Sequence, residues 1–252
     1  MSIALITSYN NRIFEKYAKR TFSTYSWPFP LYAYSEDLIL DSIDKITEVR
    51  NIFTLDPECE KFVKKNLGKK IPELWPNMLF DSVRFCYKSF SMAHMVLTSS
   101  KYEIIIFVDA DIVYSSKEMT ENFIYENLID DNSMVSYFGR NNVYSEGGFQ
   151  VFNLIHPRIY DYMEEIRRMY ISGELFNLEG YTDCHVADHV RKKFEREYGV
   201  INKNLSSEYD KTHIDPMASS FLNVYLDHLK GLNKHKNHHP TWLKERGMQF
   251  LQ

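Results

Sequence analysis

Five consecutive apolar residues, Ile104–Val108, are followed at once by Asp109, Ala110 and Asp111. A short apolar run of this length is typical of a buried strand. Because unpaired buried charge is costly, we expect the two carboxylates at the mouth of that strand. Carboxylate oxygens are good ligands for divalent cations, and open α/β sheets bind ligands beyond the C-terminal ends of their strands. The segment therefore predicts a metal site at a sheet edge, with a solvated acidic turn as the alternative.

The remaining pattern predicts an α/β fold with a mainly parallel sheet. A strand over 3–7, a helix over 13–25 and a strand over 31–34 follow one another, which is the order of a βαβ unit. Ser115 or Ser116 is expected to cap the helix after the acidic turn, and Gly147 and Gly148 to form a hinge before a strand. Other predicted elements are strands over 134–138 and 149–153 and helices over 80–99, 158–172 and 184–198.

The composition limits the classes of protein that fit. The chain has 252 residues with 44% hydrophobic and 25% charged side chains, which is typical of a globular protein. We predict a single domain over 1–252, with a possible helical insertion at 59–76 and a basic C-terminal tail at 235–252. A net charge of -4 excludes a global basic field.

Location is predicted from the cysteines and from the apolar runs. Three cysteines without metal-type spacing predict reduced thiols and a cytoplasmic protein. The N-terminus lacks the pattern of a signal peptide, and no apolar run approaches the ~20 residues that span a bilayer. We therefore expect no transmembrane segment.

A second motif places His228, Gly231 and Lys234 in the pattern H-x-x-G-x-x-K. With the earlier Asp-x-Asp, it resembles the metal-dependent glycosyltransferases of the GT-A fold, most closely the glycogenin-like and lipooligosaccharide galactosyltransferase family. The resemblance implies a Rossmann-like sheet flanked by helices. It also implies Mn²⁺ (or Mg²⁺) held by Asp109, Asp111 and His228, with Gly231 and Lys234 against the phosphates of a UDP-sugar.

The residue types of the second motif suit these roles. A neutral imidazole is a good Mn²⁺ ligand, glycine permits close backbone approach to a phosphate, and lysine supplies a compact positive charge. A lone histidine is otherwise most often structural. The resembled family usually continues Lys-Pro-Trp, whereas Lys234 is followed here by His235 and Lys236, so the match is to a remote relative.

Two acids are candidate catalytic residues. Glu146 lies where the resembled family has a small-residue segment that lines the donor-sugar pocket, and a solvated glutamate in a glycine turn is the alternative. Asp183 lies in a segment similar to the family's acidic helix start, and it also fits an N-cap; Asp188 follows about one turn later. Either Glu146 or Asp183 could serve an inverting enzyme as general base, although the late histidine motif implies retention.

Donor contacts are predicted on two further elements. Arg84 and Lys88 are spaced i, i+4 and share a helix face, where the resemblance implies a basic residue close to the donor; a solvated basic face is the alternative. The end of the first strand is where such enzymes hold the base and ribose. The predicted donor-binding residues are Thr7, Ser8, Tyr9, Arg84, Lys88, Asp109, Ala110, Gly231 and Lys234.

The predicted function is transfer of a sugar from a UDP-sugar to an acceptor hydroxyl. The acceptor is expected to be a glycan. Ser145–Phe149 and Asp227–Gly231 also resemble strings in glycosyltransferase-like proteins of tailed phages, which implies hydroxymethylated DNA as another acceptor and the host cytoplasm as the location. A metal-dependent nucleotidyltransferase, a sugar-nucleotide hydrolase and a non-catalytic binding module are the alternatives.

Overall fold

The computed structural model describes residues 2–37, 43–68, 77–213 and 215–228. Gly231, Lys234, the tail at 235–252 and positions 69–76 of the predicted insertion lie outside these residues. The strands, in chain order, are β1 (Ile3–Tyr9), β2 (Leu31–Ser35), β3 (Glu48–Asn51), β4 (Ile104–Val108), β5 (Ile112–Tyr114), β6 (Ser133–Phe138), β7 (Glu146–Asn153), β8 (Ile201–Asn204) and β9 (Leu226–His228).

Seven of these strands form one sheet in the order β3-β2-β1-β4-β7-β6-β8. Strands β3, β2, β1 and β4 are mutually parallel, and β6 is parallel to β8. Only β7 runs against its neighbours, β4 and β6, within this sheet. The predicted α/β class with a mainly parallel sheet is therefore confirmed.

Helices cover both faces of the sheet. The α-helices are α1 (Asn11–Ile13), α2 (Lys19–Thr24), α3 (Ile52–Leu55), α4 (Pro57–Asn66), α5 (Ser82–Thr98), α6 (Glu121–Phe123), α7 (Ile159–Ser172), α8 (Asp183–Tyr198) and α9 (Pro216–Ser219). One π-helical stretch, Phe14–Ala18, joins α1 to α2, and another, Ile124–Leu128, follows α6. Among the described residues, no helix is both long enough and apolar enough to cross a membrane.

Strand β4 is buried on both faces, and its alternating side chains divide the core in two. Ile105 and Phe107 pack with α4, α5, α7 and α8 on one face. Ile104, Ile106 and Val108 pack on the other face with the N-terminal helical segment and with α9. A central parallel strand covered on both sides has the continuous apolar sequence seen here. Its polar C-terminal end is consequently the place where the chain leaves the core.

The structure corrects two local predictions. The helix after β5 is capped by Thr120, whose hydroxyl accepts a hydrogen bond from the Phe123 amide at 3.2 Å. Ser115 is not a cap, because no helix begins there: its Oγ accepts the Lys117 amide at 3.1 Å and donates to the Val224 carbonyl at 2.7 Å, but α6 starts only at Glu121. Gly147 and Gly148 do not form a hinge before the strand either, since both lie inside β7, at the point where its pairing with β6 shifts register.

Candidate active site

The acidic turn joins β4 to β5 and is fixed from three sides. The Ile112 amide donates back to the Asp109 carbonyl at 3.1 Å, which closes the turn. The Asp109 amide donates to the Gly148 carbonyl on β7 at 2.9 Å. The Thr21 hydroxyl donates to the Ala110 carbonyl at 2.8 Å. The two carboxylates therefore project from a well-braced backbone at the C-terminal edge of the sheet.

The two-stranded sheet formed by β5 and β9 brings His228 to this turn. Its antiparallel register places His228 opposite Ile112, the residue that directly follows Asp111. His228 Nε2 lies 3.2 Å from Asp111 Oδ1, and the residue is 4% exposed. Asp111 and His228, which are far apart in the sequence, are thus brought together by a pairing of only three residues in each strand.

Asp109, Asp111 and His228 offer ligand atoms that all lie within 4.8 Å of one another. Ligands of an octahedral ion bound at ~2.1 Å lie roughly 3–4 Å apart, so small side-chain adjustments suffice. Two carboxylates and one imidazole without a thiolate suit Mn²⁺ or Mg²⁺ better than a soft metal. The residues therefore fit the predicted cation, and their assignment as its ligands remains a prediction that this spacing supports.

Lys88 lies between two of the predicted acidic residues. Its Nζ is 2.8 Å from Asp109 Oδ1 and 2.8 Å from Asp183 Oδ2, and it also donates to the Gly147 carbonyl. Burial opposes the charge of Lys88, but Asp109 and Asp183 outweigh this effect and hold the pKa of Lys88 well above its usual value. Burial and the neighbouring Asp111 raise the pKa of Asp109, against the opposing influence of Lys88.

Asp183 itself does not cap α8. The cap is Thr182, whose Oγ1 accepts a hydrogen bond from the His185 amide. Asp183 is the first residue of the helix, and its carboxylate faces Lys88 with only 2% of the residue exposed. The N-cap interpretation of Asp183 was therefore wrong, whereas its predicted contact with a donor or acceptor sugar stays a prediction.

Two glycines of β7 allow the side chains of the site to approach the sheet. A Cβ added at Gly147 would lie 2.6 Å from Cys184 Sγ and 2.7 Å from Asp183 Oδ2. A Cβ at Gly148 would lie 2.9 Å from His228 Cε1 and 3.2 Å from Asp109 Oδ2. Any larger residue at either position would displace a polar side chain of the site.

Glu146 is buried beneath the site and does not project at its mouth. Its Oε1 accepts a hydrogen bond from the Gly148 amide at 3.0 Å, and its Oε2 lies 3.6 Å from Arg140 Nη1. The same Oε1 is 4.0 Å from His228 Nδ1. Asp215, at the N-cap of α9, is closer to that nitrogen, with Oδ2 at 3.6 Å.

The other predicted donor contacts are more dispersed. Thr7 and Tyr9 are buried and Ser8 is half-buried, at the end of β1 that extends beyond its pairing with β4. The Thr7 hydroxyl makes no hydrogen bond within the described residues, while the Tyr9 ring packs 5.7 Å from that of Phe22. Arg84 is exposed, so it does not share the enclosed position of Lys88.

Sequence reasoning missed Asp215 and Arg140 as neighbours of the site. Asp215 precedes Pro216, and an N-cap acid followed by proline is a recognisable helix start. That signal predicts the helix but not its position beside His228. Arg140 donates to the carbonyls of Tyr144 and Ser145, and an isolated arginine in a polar loop carries no comparable signal.

The sequence and the structure were compared with known proteins. No family model matches the chain, and no curated protein matches it. Similar solved structures include mouse xyloside xylosyltransferase 1 in its apo form, at 11% identity and a TM-score of 0.47, covering 82% of this chain and 86% of that one. A glycosyltransferase involved in glycosylation of the major capsid of PBCV-1 is similar at 12% identity and a TM-score of 0.48, covering 93% and 95%.

A third similar structure is the apo form of the bifunctional glycosyltransferase WbbM, at 10% identity and a TM-score of 0.46, covering 75% of this chain and 37% of that one. All three proteins are named as glycosyltransferases, the class that the two sequence motifs resemble.

Proposed function

We propose that the protein is a glycosyltransferase that uses a divalent cation, Mn²⁺ or Mg²⁺, and a UDP-sugar donor. The observation that carries this proposal is the cluster of Asp109, Asp111 and His228, whose ligand atoms lie within 4.8 Å of one another at the C-terminal edge of the sheet. When bound there, the cation would offset the negative charge of the departing nucleotide diphosphate. The acids would hold it, and the neighbouring residues would bind and orient the sugar.

Lys88 and Asp183 would form the sugar-orienting side of the site. Their ion pair is buried, since only 12% of the Lys88 side chain and 2% of the Asp183 side chain are exposed. A sugar hydroxyl can both donate to a carboxylate and accept from an ammonium group, so a fixed pair of this kind suits its recognition. Burial strengthens such hydrogen bonds because water does not compete for them.

The contacts of the two candidate bases favour retention of stereochemistry. An inverting enzyme needs a general base within reach of the acceptor hydroxyl. Asp183 is paired with Lys88, and Glu146 accepts the Gly148 amide while facing Arg140. Both carboxylates are thereby already engaged by partners within the protein, which leaves them poorly placed to accept a proton from an acceptor hydroxyl. We assign Asp183 and Glu146 orienting roles.

We propose a glycan hydroxyl as the acceptor and the cytoplasm as the location. The three thiols Cys59, Cys86 and Cys184 are free, as expected in a reducing compartment. Hydroxymethylated DNA as an acceptor, and with it the host cytoplasm, rests only on the resemblance to phage proteins. Within the described residues, nothing favours DNA over a glycan.

The test is a turnover assay with purified protein, a panel of nucleotide sugars, Mn²⁺ or EDTA, and mixed oligosaccharide acceptors. We expect one UDP-sugar to be consumed only with Mn²⁺ and only with an acceptor, and we expect Asp111→Asn to abolish consumption. Lys192→Gln, which changes an exposed side chain of α8 outside the predicted site, serves as the control. Consumption without acceptor would identify a hydrolase, pyrophosphate exchange a nucleotidyltransferase, and donor binding without turnover a binding module.

A further inference from the structure

Two loops border the candidate site at the edge of the sheet where β4 ends in the acidic turn. Strand β7 is antiparallel to β4 and β6, and β8 is parallel to β6, so β4, β6 and β8 all end at this edge. The loop after β6, 139–145, leads into Glu146, and the loop after β8, 205–213, leads towards Asp215. Both acids lie near His228. We call these two loops together the rim of the site.

The two loops of the rim are bonded to each other and to the sheet. The Asn141 amide of the first loop donates to the Lys211 carbonyl of the second at 2.9 Å. The Gly139 amide donates to the Asn204 Oδ1 of β8, also at 2.9 Å. The rim is therefore a continuous and braced surface beside the site.

Tyr209 is held on the rim by a buried acid, although its own side chain faces solvent. The neighbouring Asp210 is 5% exposed, and it accepts the Ser207 amide at 2.9 Å, the Ser207 hydroxyl at 2.7 Å and the Ser219 hydroxyl at 2.7 Å. Tyr209 is 65% exposed, and the His213 ring lies edge-on to it with centroids 4.6 Å apart. A large aromatic ring is thus presented outward from a fixed backbone.

The uncharged side chains of the rim suit a sugar. A sugar ring has an apolar C–H face that can lie against an aromatic ring, and hydroxyls that both donate and accept hydrogen bonds. Tyr209 offers the aromatic ring, while the exposed Asn141 and Asn142 offer side-chain amides that donate and accept. Asn142 has a φ of 59°, a left-handed conformation that asparagine adopts more readily than most residues.

The cations of the rim do not favour a polyanionic partner. The two loops contain one lysine and one arginine. Lys211 is paired with Glu208, and Arg140 donates to the carbonyls of Tyr144 and Ser145. Nucleic acids are bound chiefly by cations that neutralise their phosphates, and both cations of this described surface already have partners. A neutral glycan therefore fits the rim better than DNA does.

We propose that the rim is the acceptor-binding surface, where a neutral glycan stacks one sugar ring on Tyr209 and forms hydrogen bonds with Asn141 and Asn142. The role of this glycan as acceptor rests on the proposed function, whereas its binding can be measured without any transfer. Because both loops continue into residues beside the predicted cation site, a glycan bound there would extend outward from the site across the rim.

The first experiment measures binding of fluorescently labelled protein to an array of neutral oligosaccharides and to a hydroxymethylcytosine-containing DNA duplex, in EDTA and in Mn²⁺ with UDP. We expect at least one neutral oligosaccharide to be retained and the duplex not to be retained. Tyr209→Ala should weaken glycan binding by about 10-fold, because the contact with one ring face is lost, and Tyr209→Phe should preserve it.

Two further variants sharpen the binding experiment. Tyr160→Ala is the matched control, because Tyr160 is 41% exposed on α7, which follows β7 at the opposite edge of the sheet; it should bind as the wild type does. Asn142→Gly preserves the left-handed backbone and removes the amide, so it should weaken binding by about 3-fold.

The second experiment measures turnover of the UDP-sugar with the oligosaccharide that binds. Tyr209→Ala should raise the acceptor KM by about 10-fold and leave the donor KM unchanged. Retention of no neutral oligosaccharide, retention of the duplex, or glycan binding and acceptor KM unaltered in Tyr209→Ala would overturn the proposal. Glycan binding that depends on Tyr209 without any consumption of UDP-sugar would contradict the transferase and leave the glycan-binding rim supported.

Discussion

Helix α8 carries two buried aspartates whose surroundings differ. Asp188 accepts hydrogen bonds from the Ser145 amide at 2.9 Å and hydroxyl at 2.6 Å, and from Arg191 at 3.1 Å. Asp183, about one turn earlier, faces Lys88, and Lys88 is shared with Asp109. The charge of Asp188 is thus balanced by donors from Ser145 and Arg191. Asp183, in contrast, shares the single positive charge of Lys88 with Asp109.

This difference separates Asp188, a structural acid, from Asp183, for which we propose a binding role. Around the site, Asp109 and Asp183 share the charge of Lys88, and Glu146 faces Arg140 at 3.6 Å. An excess of buried negative charge is stable only when a cation or a hydrogen-bonding ligand completes it. The Asp188 cluster needs no such partner, because Arg191 lies within it and Asp188 raises the pKa of Arg191 against the effect of burial.

Replacing Lys88 by methionine should have the largest effect on folding. It leaves Asp109 and Asp183 facing each other without their cation, and removing one partner of a buried pair typically costs about 3–5 kcal/mol. Urea unfolding of Lys88→Met and of Arg84→Met, an exposed change on the same helix, measures the difference. Equal unfolding free energies in the two variants would contradict the assignment of Lys88 as the shared counter-ion.

Glu36 tests the same reasoning at a half-buried acid whose side-chain partner, among the described residues, is the neutral amide of Asn10. Burial raises the pKa of Glu36 to about 7, although the Asn10 side chain donates to it at 2.9 Å. A carboxyl whose pKa is raised on folding stabilises the protein at low pH, and this contribution is lost as the pH rises from about 4.5 to about 7.

We therefore expect the free energy of unfolding of the wild type to fall by about 2–3 kcal/mol more between pH 5 and pH 8 than that of Glu36→Gln. Urea titrations of both proteins at the two pH values provide the measurement. Parallel pH profiles for the two proteins would show that Glu36 titrates in its ordinary range.

Asp188→Asn should destabilise the fold without affecting the cation. It leaves Arg191, whose side chain is 8% exposed, without its full negative partner, and an unsatisfied buried group costs about 1–3 kcal/mol. The Mn²⁺ affinity measured at a temperature where the variant is folded should match that of the wild type. A large loss of Mn²⁺ affinity would mean that the two clusters of α8 are not independent.

The two glycines of β7 contact different parts of the site, so substitutions there should have different effects. Gly148→Ala places a Cβ 2.9 Å from His228 Cε1, and we expect about 10-fold weaker Mn²⁺ binding, in the range of other losses of ligand support. Gly147→Ala crowds Cys184 and Asp183 instead, so it should weaken donor-sugar binding more than Mn²⁺ binding. Calorimetry with Mn²⁺ and with UDP-sugar compares the two variants; the reverse order would contradict the assigned sides of the site.

The elements that could be predicted from the sequence are those with strong apolar periodicity. Strand β4 is a continuous apolar run, and helix α5 shows the 3.6-residue repeat of a buried face. The short strands β5 and β9 have three residues each, too few for any periodicity, although their pairing places His228 beside Asp111. The place of Asp109 and Asp111 at a sheet edge was therefore predictable from strand β4, whereas their meeting with His228 was predictable only from the motif resemblance.

The finer geometry of the site depends on contacts between distant segments. The sharing of Lys88 by Asp109 and Asp183 requires the packing of α5 against β7 and α8, and no local pattern encodes it. The same holds for Asp215, whose helix begins with a clear cap signal but whose neighbour His228 is set by the tertiary fold. The sequence pattern predicted most of the acids of the site. The residues that contact these acids could be assigned only from the three-dimensional structure.

The most direct test of the central claim is calorimetric titration of UDP into metal-free protein and into protein saturated with Mn²⁺, repeated with Asp111→Asn. If the acids hold a cation that contacts the diphosphate, Mn²⁺ and UDP must strengthen each other's binding reciprocally. We expect Mn²⁺ to tighten UDP binding by at least about 10-fold, a coupling of ~1.4 kcal/mol, and this gain to vanish in the variant. Equal UDP affinity with and without Mn²⁺ in the wild type would contradict the claim that Asp109, Asp111 and His228 form a donor-binding metal site.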